Sequence, residues 1–266
     1  MINRLALAGL GFLIAGPAFG ADLPVKAPPM APVPMMTGYN WSGFYVGGHG
    51  GYGWGRTDST AVTPSGSFPA GFAFTTLEPH GGIAGGQVGF NYQIGNFVLG
   101  AEGQFSWADL KDTQRSNSPL IAGRFVDTTG SVDWISTATG RVGYAWDSWM
   151  LYGKGGAAWA RYKSDSTTFT GAGATVATTT GEATRFGWVV GGGLEYGFWN
   201  NWSVAIEYNY LDFGTATETR FSVNAPAFGG ASTNLDRDVD SRIHTVKGSL
   251  NYRFNWGGGG PVMARY

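Results

Sequence analysis

Apolar and polar residues alternate with a period of two along eight stretches of the chain. In residues 97–107, Phe97 and Leu99 fall on one face of this pattern, whereas Glu102 and Gln104 fall on the other. Such alternation, enriched in aromatic and β-branched residues, predicts β-strands. The predicted strands cover residues 41–54, 82–94, 97–108, 132–146, 149–162, 184–198, 202–213 and 242–254.

The strands come in pairs that repeat about every 53 residues. Four segments open on an aromatic residue: FYVGGHGGYGW, FVLGAEGQFSW, WMLYGKGGAAW and WSVAIEYNYLD. A second series, GQVGFNY, GRVGYAW, GGLEYGF and GSLNYRF, lies between them. Short turns at 95–96, 147–148 and 199–201 alternate with polar segments that are predicted to be long loops, 56–80, 109–131, 163–183 and 214–240. The pattern therefore predicts an all-β fold of eight antiparallel strands in up-and-down order.

The two faces of these strands distinguish a membrane protein from a soluble one. A secreted β-sandwich or a lipocalin-like barrel would turn the apolar face inward, whereas a transmembrane barrel turns it toward lipid. The apolar face carries no Asp, Glu, Lys or Arg along the stretches, and aromatic residues mark both of its ends. We interpret these aromatics as two girdles: Phe44, Phe97, Trp149 and Trp202 at one end, and Trp54, Trp107, Trp159 and Tyr210 at the other.

The spacing of the two girdles matches the thickness of a bilayer. Ten residues at about 3.3 Å span about 33 Å, which a tilt of about 40° reduces to the roughly 25 Å expected between aromatic girdles. The sequence therefore predicts an eight-stranded antiparallel up-and-down transmembrane β-barrel.

Six charged residues fall on the opposite, inward face at mid-depth. They are Glu102, Arg141, Lys154, Glu195, Glu207 and Lys247. An eight-stranded barrel is narrow enough for side chains to fill it, and buried charges need partners. We predict a packed network of salt bridges in which Arg141 contacts Glu102, Glu207 or both. The alternative is an ion path lined by the same groups.

The ends of the chain are predicted to lie outside the barrel. Residues 1–20 have a charged n-region, a short apolar stretch and small residues before Ala21, a pattern typical of a cleaved signal peptide. Residues 21–40 are proline-rich and predict an extended periplasmic segment. The barrel is assigned to 41–254 and a glycine-rich tail to 255–266.

The amino-acid composition excludes several kinds of functional site. There is no cysteine among the 266 residues, which excludes disulfides and thiolate sites, and a net charge of −1 gives no attraction to nucleic acid. Gly48, Gly50 and Gly53 match GxGxxG, but they lie inside a strand and lack the βαβ context of a dinucleotide site. No histidine is placed beside a nucleophile and an acid, so we expect neither enzyme activity nor a cofactor. His80, in a loop, leaves surface haem binding open as an alternative.

GFYVGGHGGYGWG (43–55), ADLPVKAPP (21–29), GAEG (100–103) and the terminal SLNYRF (249–254) resemble the OmpA-type barrels. They are more similar still to the outer-membrane immunogenic, or porin-family, proteins of rhizobia and related alphaproteobacteria. The resemblance implies an outer-membrane location and contacts with lipid and lipopolysaccharide. It also implies recognition of the last strand, with Tyr252 and Phe254, by the barrel-assembly machinery.

The expected function is structural. Long surface loops would serve envelope integrity or meet host or phage surfaces. A narrow channel for small solutes or ions and a surface ligand-binding or adhesion protein remain the alternatives.

Overall fold

Eight strands make up almost all of the computed structural model, which describes residues 38–61, 71, 73, 76–117, 123–199, 201–221 and 234–254. Within these ranges no helix is long and apolar enough to cross a membrane. The predicted signal peptide, most of the proline-rich segment and the glycine-rich tail fall outside the described residues. The strands are β1 Gly43–Ala61, β2 His80–Ile94, β3 Phe97–Asn117, β4 Arg124–Trp146, β5 Trp149–Thr170, β6 Thr175–Trp199, β7 Trp202–Phe221 and β8 Asn234–Phe254.

Each strand pairs antiparallel with its neighbours in the sequence, and β1 pairs with β8 to close the sheet into a barrel. Phe44 lies opposite Phe254 at one end of this closing seam, and Trp54 lies opposite His244 ten residues further along β1. Closure leaves no unpaired sheet edge, as a strand-built protein in lipid requires. The predicted all-β, eight-stranded, up-and-down barrel is confirmed.

Short turns define one end of the barrel, here called the short-turn end. Gly95 and Asp147 are the first residues of two-residue connections, with φ of 61° and 50°. Two-residue hairpin loops need this left-handed region, which explains glycine at one position and aspartate at the other. The opposite end, here called the long-loop end, carries the connections after β1, β3, β5 and β7.

The predicted long loops 109–131, 163–183 and 214–240 are wrong over most of their length, and the first residues of 56–80 are strand as well. Residues 109–117, 124–131 and 163–170 continue the strands, and β5 turns into β6 through Gly171–Ala174 alone. The stretch 56–61 likewise extends β1, and β7 and β8 reach Phe221 and Asn234. The apolar alternation stops near the girdle because both faces meet water beyond it. The end of the alternation therefore marks the boundary of the membrane and not the end of the strand.

Candidate functional site

The outer face of the wall is apolar and the inner face holds the charged residues. All eight residues predicted as girdles lie on the outer face, from half-buried Trp159 and Tyr210 to Trp107 with 66% of its surface exposed. Between them the wall presents side chains such as Val88, Leu99 and Ile206. In a bilayer, lipid covers this face. The surface that is exposed in the isolated chain is therefore in contact with lipid.

The six predicted lumen charges meet in one chain of ion pairs, joined by a seventh residue, Arg253. Their side-chain exposures run from 0 to 6%. Acids and bases alternate in the order Arg253, Glu195, Arg141, Glu102, Lys154, Glu207 and Lys247, with N···O distances of 3.4, 2.9, 3.5, 3.0, 2.8 and 3.2 Å. Arg141 thus contacts Glu102, one of the two acids proposed for it, and Glu195 as well. We call this chain the lumen network.

Neutral donors complete the coordination of each carboxylate. Tyr45 Oη donates to Glu102 at 2.7 Å, Tyr152 Oη donates to Glu207 at 3.0 Å, and Ser203 Oγ donates to Glu195 Oε1 at 2.6 Å. Buried ion pairs offset their desolvation only when further hydrogen bonds satisfy the remaining lone pairs. The lumen network meets that condition at all three acids.

Two glycines make room for the tyrosines of the network. A Cβ at Gly89 would overlap the ring of Tyr45, and a Cβ at Gly193 would overlap Tyr152. Tyr152 in turn supports Arg141, whose Cζ lies 3.9 Å from the ring centroid. A guanidinium over an aromatic face is stabilised by the ring quadrupole, and more strongly where water is excluded. Glycine in the wall therefore fixes the geometry of the charges in the lumen.

An apolar layer closes the lumen at the short-turn end. Trp41 is fully buried there with Val98, Ala145, Met150 and Tyr152, and the partly buried Tyr39 packs against them. Trp41 N donates to Gln93 Oε1 at 2.9 Å, and its carbonyl accepts a hydrogen bond from Arg253. The residues just before β1 thus fold into the barrel mouth. We call this cluster the lower layer.

A second apolar layer closes the lumen on the long-loop side of the network. It is built from inward side chains of seven of the eight strands, and Ala108 and Tyr162 pack against it. We call this cluster the upper layer: Ile83, Leu110, Val132, Ile135, Ala158, Ala160, Val189, Leu211, Phe213 and Ile243. The inner face is therefore polar only in its middle. A charged middle is enclosed by apolar side chains above and below.

Two small cavities lie between the layers, among the residues that the structure describes. One cavity of ≈ 10 Å³ lies between Gln104, Lys247 and Ile135, and another of ≈ 10 Å³ is lined by His49, Glu102 and further polar side chains. Each volume is about that of one water molecule. The described lumen can thus hold isolated waters between its side chains.

Sequence reasoning missed Arg253, Tyr45 and His49. Arg253 lies between the outward aromatics Tyr252 and Phe254 near the end of the last strand and was not named among the lumen charges, although the alternation Lys247, Ser249, Asn251, Arg253 places it inward. Tyr45 lies beside the girdle residue Phe44 in the same way. His49 is buried, with its ring nitrogens 2.5 Å from Gln87 Oε1 and 2.8 Å from Ser106 Oγ.

The remaining predicted residues lie on the outer wall or beside the chain ends. Tyr252 and Phe254, proposed for assembly, pack edge to face at 5.1 Å on the short-turn end of β8. His80 is exposed, with Nδ1 2.9 Å from the Glu78 carbonyl. In the part of the chain that the structure describes, no three His, Asp or Glu side chains are grouped to hold a metal ion.

Residues 25–254 match the family model described as "Outer membrane protein beta-barrel domain". The 31 kDa outer-membrane immunogenic protein of Brucella melitensis is 30% identical over 265 residues, which cover 95% of this chain and 100% of the relative. The 22 kDa outer membrane protein of Rhizobium leguminosarum bv. viciae is 31% identical over 68% of each chain. Among solved structures, the outer membrane protein OprG from Pseudomonas aeruginosa aligns over 82% of this chain and 99% of its own, with 14% identity and a TM-score of 0.48.

Proposed function

Since the chain belongs to the outer membrane protein β-barrel domain family and lies in the outer membrane, we propose that it is a structural, surface-exposed barrel with a closed lumen. Its wall contacts lipid on the outside and surrounds a rigid charged core. Its long-loop end faces the outside of the cell, where it can contact host or phage surfaces. Outer-membrane barrels place short turns in the periplasm and longer connections outside. We infer no enzyme activity.

The filled lumen is the observation that carries this proposal. A conducting path needs continuous water and favours a ring of one sign of charge that attracts permeant ions. Here acids and bases alternate along the lumen network, and an apolar layer lies on each side of it. These features support a structural role over the narrow channel.

The parts of the strands that continue beyond the membrane form the surface-exposed region of the protein. A strand needs about 9–11 residues to cross the bilayer, whereas β5 has 22 residues and β6 has 25. At about 3.3 Å per residue, roughly half of each strand rises beyond the girdle at the long-loop end, which is formed by Trp54, Trp107, Trp159 and Tyr210. The chain therefore presents a paired, water-facing extension of the barrel wall and not eight short strands joined by free loops.

Cysteine labelling on intact cells tests the orientation. The chain has no native cysteine, so single-cysteine variants report one site each. Ala172→Cys lies in the exposed turn between β5 and β6, and Ser148→Cys lies in the β4–β5 turn at the short-turn end. We expect a membrane-impermeant maleimide to label Ala172→Cys on intact cells. Ser148→Cys should react only after the outer membrane is permeabilised.

The reverse labelling pattern would place the long-loop end in the periplasm and contradict the proposal. Heat-modifiable mobility on gels provides the control that each variant is folded and inserted. Labelling of both sites on intact cells, with folding intact, would instead show that the probe crosses the membrane, and a larger maleimide would then repeat the comparison.

A further inference from the structure

Strands β6 and β7 separate where the barrel leaves the membrane. Their pairing ends at Trp188, which lies opposite Asp212 and packs on the girdle residue Tyr210 with ring centroids 5.4 Å apart. Further from the membrane, β6 still pairs with β5 and β7 still pairs with β8, but among the described residues no pairing joins β6 to β7. The sheet is thus closed at the level of the membrane and split in its water-facing extension.

An irregularity in β7 explains this separation. The register of β7 against β8 shifts between Asp212 and Thr215. Gly214, inside the shift, has a left-handed φ of 59°, and its N–H donates to Asp212 Oδ1 at 2.8 Å. A β-bulge of this kind bends its strand and increases the local twist. Strand β7 therefore follows β8 and leaves β6 with an open edge.

The open edge of β6 consists of main-chain groups at even-numbered positions. Gly197 N donates to the carbonyl of Ser148, the residue just before β5, at 2.8 Å. Because successive residues of a strand direct their N–H and C=O groups to opposite sides, odd-numbered residues of β6 face β5 and even-numbered residues face β7. We call the row of even-numbered residues beyond the girdle the β6 edge: Thr178, Thr180, Glu182, Thr184 and Phe186.

The β6 edge is held in an extended conformation by its other neighbours. Every residue from Ala177 to Tyr196 has a register partner on β5. The buried side chain of Arg185 also ties β6 to β8 from inside the barrel, because its Nη1 donates to the Val239 carbonyl at 3.0 Å and to Ser241 Oγ at 3.3 Å. An edge that is already ordered loses little conformational freedom on binding.

The β6 edge has none of the common obstacles to strand pairing. Natural edges are often short, or they carry lysine, proline or a bulge. By contrast, β6 has 25 residues, and neither lysine nor proline occurs in residues 178–186. Glu182 is the one charged member of the edge, and it is ion-paired with Arg161 of β5 at 2.5 Å. The threonines are β-branched, a side-chain type that suits cross-strand pairing.

We propose that the β6 edge binds an extended peptide segment of a partner protein outside the cell, which adds to the sheet as a strand antiparallel to β6. The main chain of the peptide supplies partners for the open N–H and C=O groups, and its β-branched side chains pack beside the threonines. A second copy of this chain fits less well. Copies in one membrane point the same way, so their β6 strands would run parallel, which is the less stable pairing. The inference rests on the proposed function, because it takes the long-loop end to face outside.

Binding of a defined peptide to the refolded full chain in neutral detergent tests the proposal. The probe has four Thr-Val repeats between two lysines, with blocked ends and a fluorescent label, and anisotropy gives its dissociation constant. We expect Thr180→Pro to raise this constant about tenfold, because proline removes an edge N–H and leaves the pairing with β5 intact. The matched control, Thr180→Val, keeps the N–H and the branched side chain and should bind like the wild type.

A modified probe tests the same contact without changing the protein. Methylating the amide nitrogens of its two central residues blocks a main-chain donor on either side of the peptide, so one of them faces β6 in any register. We expect the wild type to bind this probe about tenfold more weakly. Hydrogen exchange at the amides of Thr178 and Thr184 should slow when the unmodified peptide is present.

Four results would overturn the proposal. Three concern the peptide: no saturable binding to the wild type, equal affinities of Thr180→Pro and the wild type, and equal affinities of the methylated and unmodified probes. The fourth is a wild type that is dimeric without peptide while Thr180→Pro is monomeric, which would assign the edge to a second copy. Heat-modifiable mobility shows that each variant is folded. Binding in detergent does not depend on which end faces outside, so these results are separate from the cysteine labelling that tests the proposed function.

Discussion

Replacing Glu195 with glutamine is expected to lower the free energy of unfolding by about 3–5 kcal/mol, the range measured when one partner of a buried ion pair is removed. Glu195 is fully buried and binds both Arg141 and Arg253, at 2.9 and 3.4 Å. Glutamine keeps its size but leaves two buried guanidinium groups with one carboxylate fewer. Urea unfolding in lipid vesicles, followed by the folded band on unheated gels, measures the change.

The lumen network makes the loss of an acid costlier than the loss of a base. It holds four bases and three acids. Arg141→Met therefore leaves three of each and is expected to destabilise the barrel less than Glu195→Gln. Combining Glu195→Gln with Arg253→Met should restore part of the lost stability, since a buried pair replaced together is often near neutral.

Glu182→Gln is the matched control for Glu195→Gln. Glu182 pairs with Arg161 on the outer wall, and both side chains are more than 40% exposed. Water solvates this pair, so the unfolding midpoint should stay where it is. If Glu195→Gln shifted the midpoint no more than Glu182→Gln, the lumen would be hydrated and the packed network would be wrong.

Removing the indole of Trp41 is expected to cost about 3–5 kcal/mol of unfolding free energy, as for other fully buried tryptophans. Trp41 has no exposed surface, fills the lower layer, and lies 5.1 Å from the Arg253 guanidinium carbon. Trp41→Ala loses these contacts and leaves a cavity beneath the lumen network. The same urea titration detects the loss.

Trp199→Ala provides the comparison at the same end of the barrel. Trp199 is 72% exposed on the outer wall, so its replacement removes contacts with lipid but leaves no cavity, and it should lower the unfolding free energy less than Trp41→Ala does. Equal effects of the two substitutions would mean that Trp41 lies at the membrane surface and not in the lumen. Such a result would show that Trp41 is not part of the lower layer.

The wall was predictable because lipid imposes one rule along its whole outer face. Phe97, Leu99 and Phe105 had to point outward together, and this left Glu102 and Gln104 pointing inward. The two-residue turns around Gly95 and Asp147 were equally visible, because their sequences leave no room for a longer connection. These signals are local, and each depends on residues close together in the chain.

The strand ends and the apolar layers could not be predicted in the same way. Beyond the girdle, Asp165 and its neighbours meet water on both faces, so no alternation marks them as strand. Ile83 and Leu211 lie in the upper layer, but apolar residues at inward positions look like breaks in the pattern unless the opposing strands are known. Trp41 is placed in the lumen by contacts across the barrel mouth, from residues more than 50 positions away.

Planar-bilayer conductance of the refolded full chain tests the closed, structural barrel most directly. The sample must show heat-modifiable mobility, so that silence reports a folded barrel and not a failed insertion. A closed barrel predicts no protein-dependent steps for the wild type, and none for Trp41→Ala, because the upper layer still closes the lumen. Stable steps in the wild type that change in size or ion preference when Glu102 or Lys154 is neutralised would contradict it.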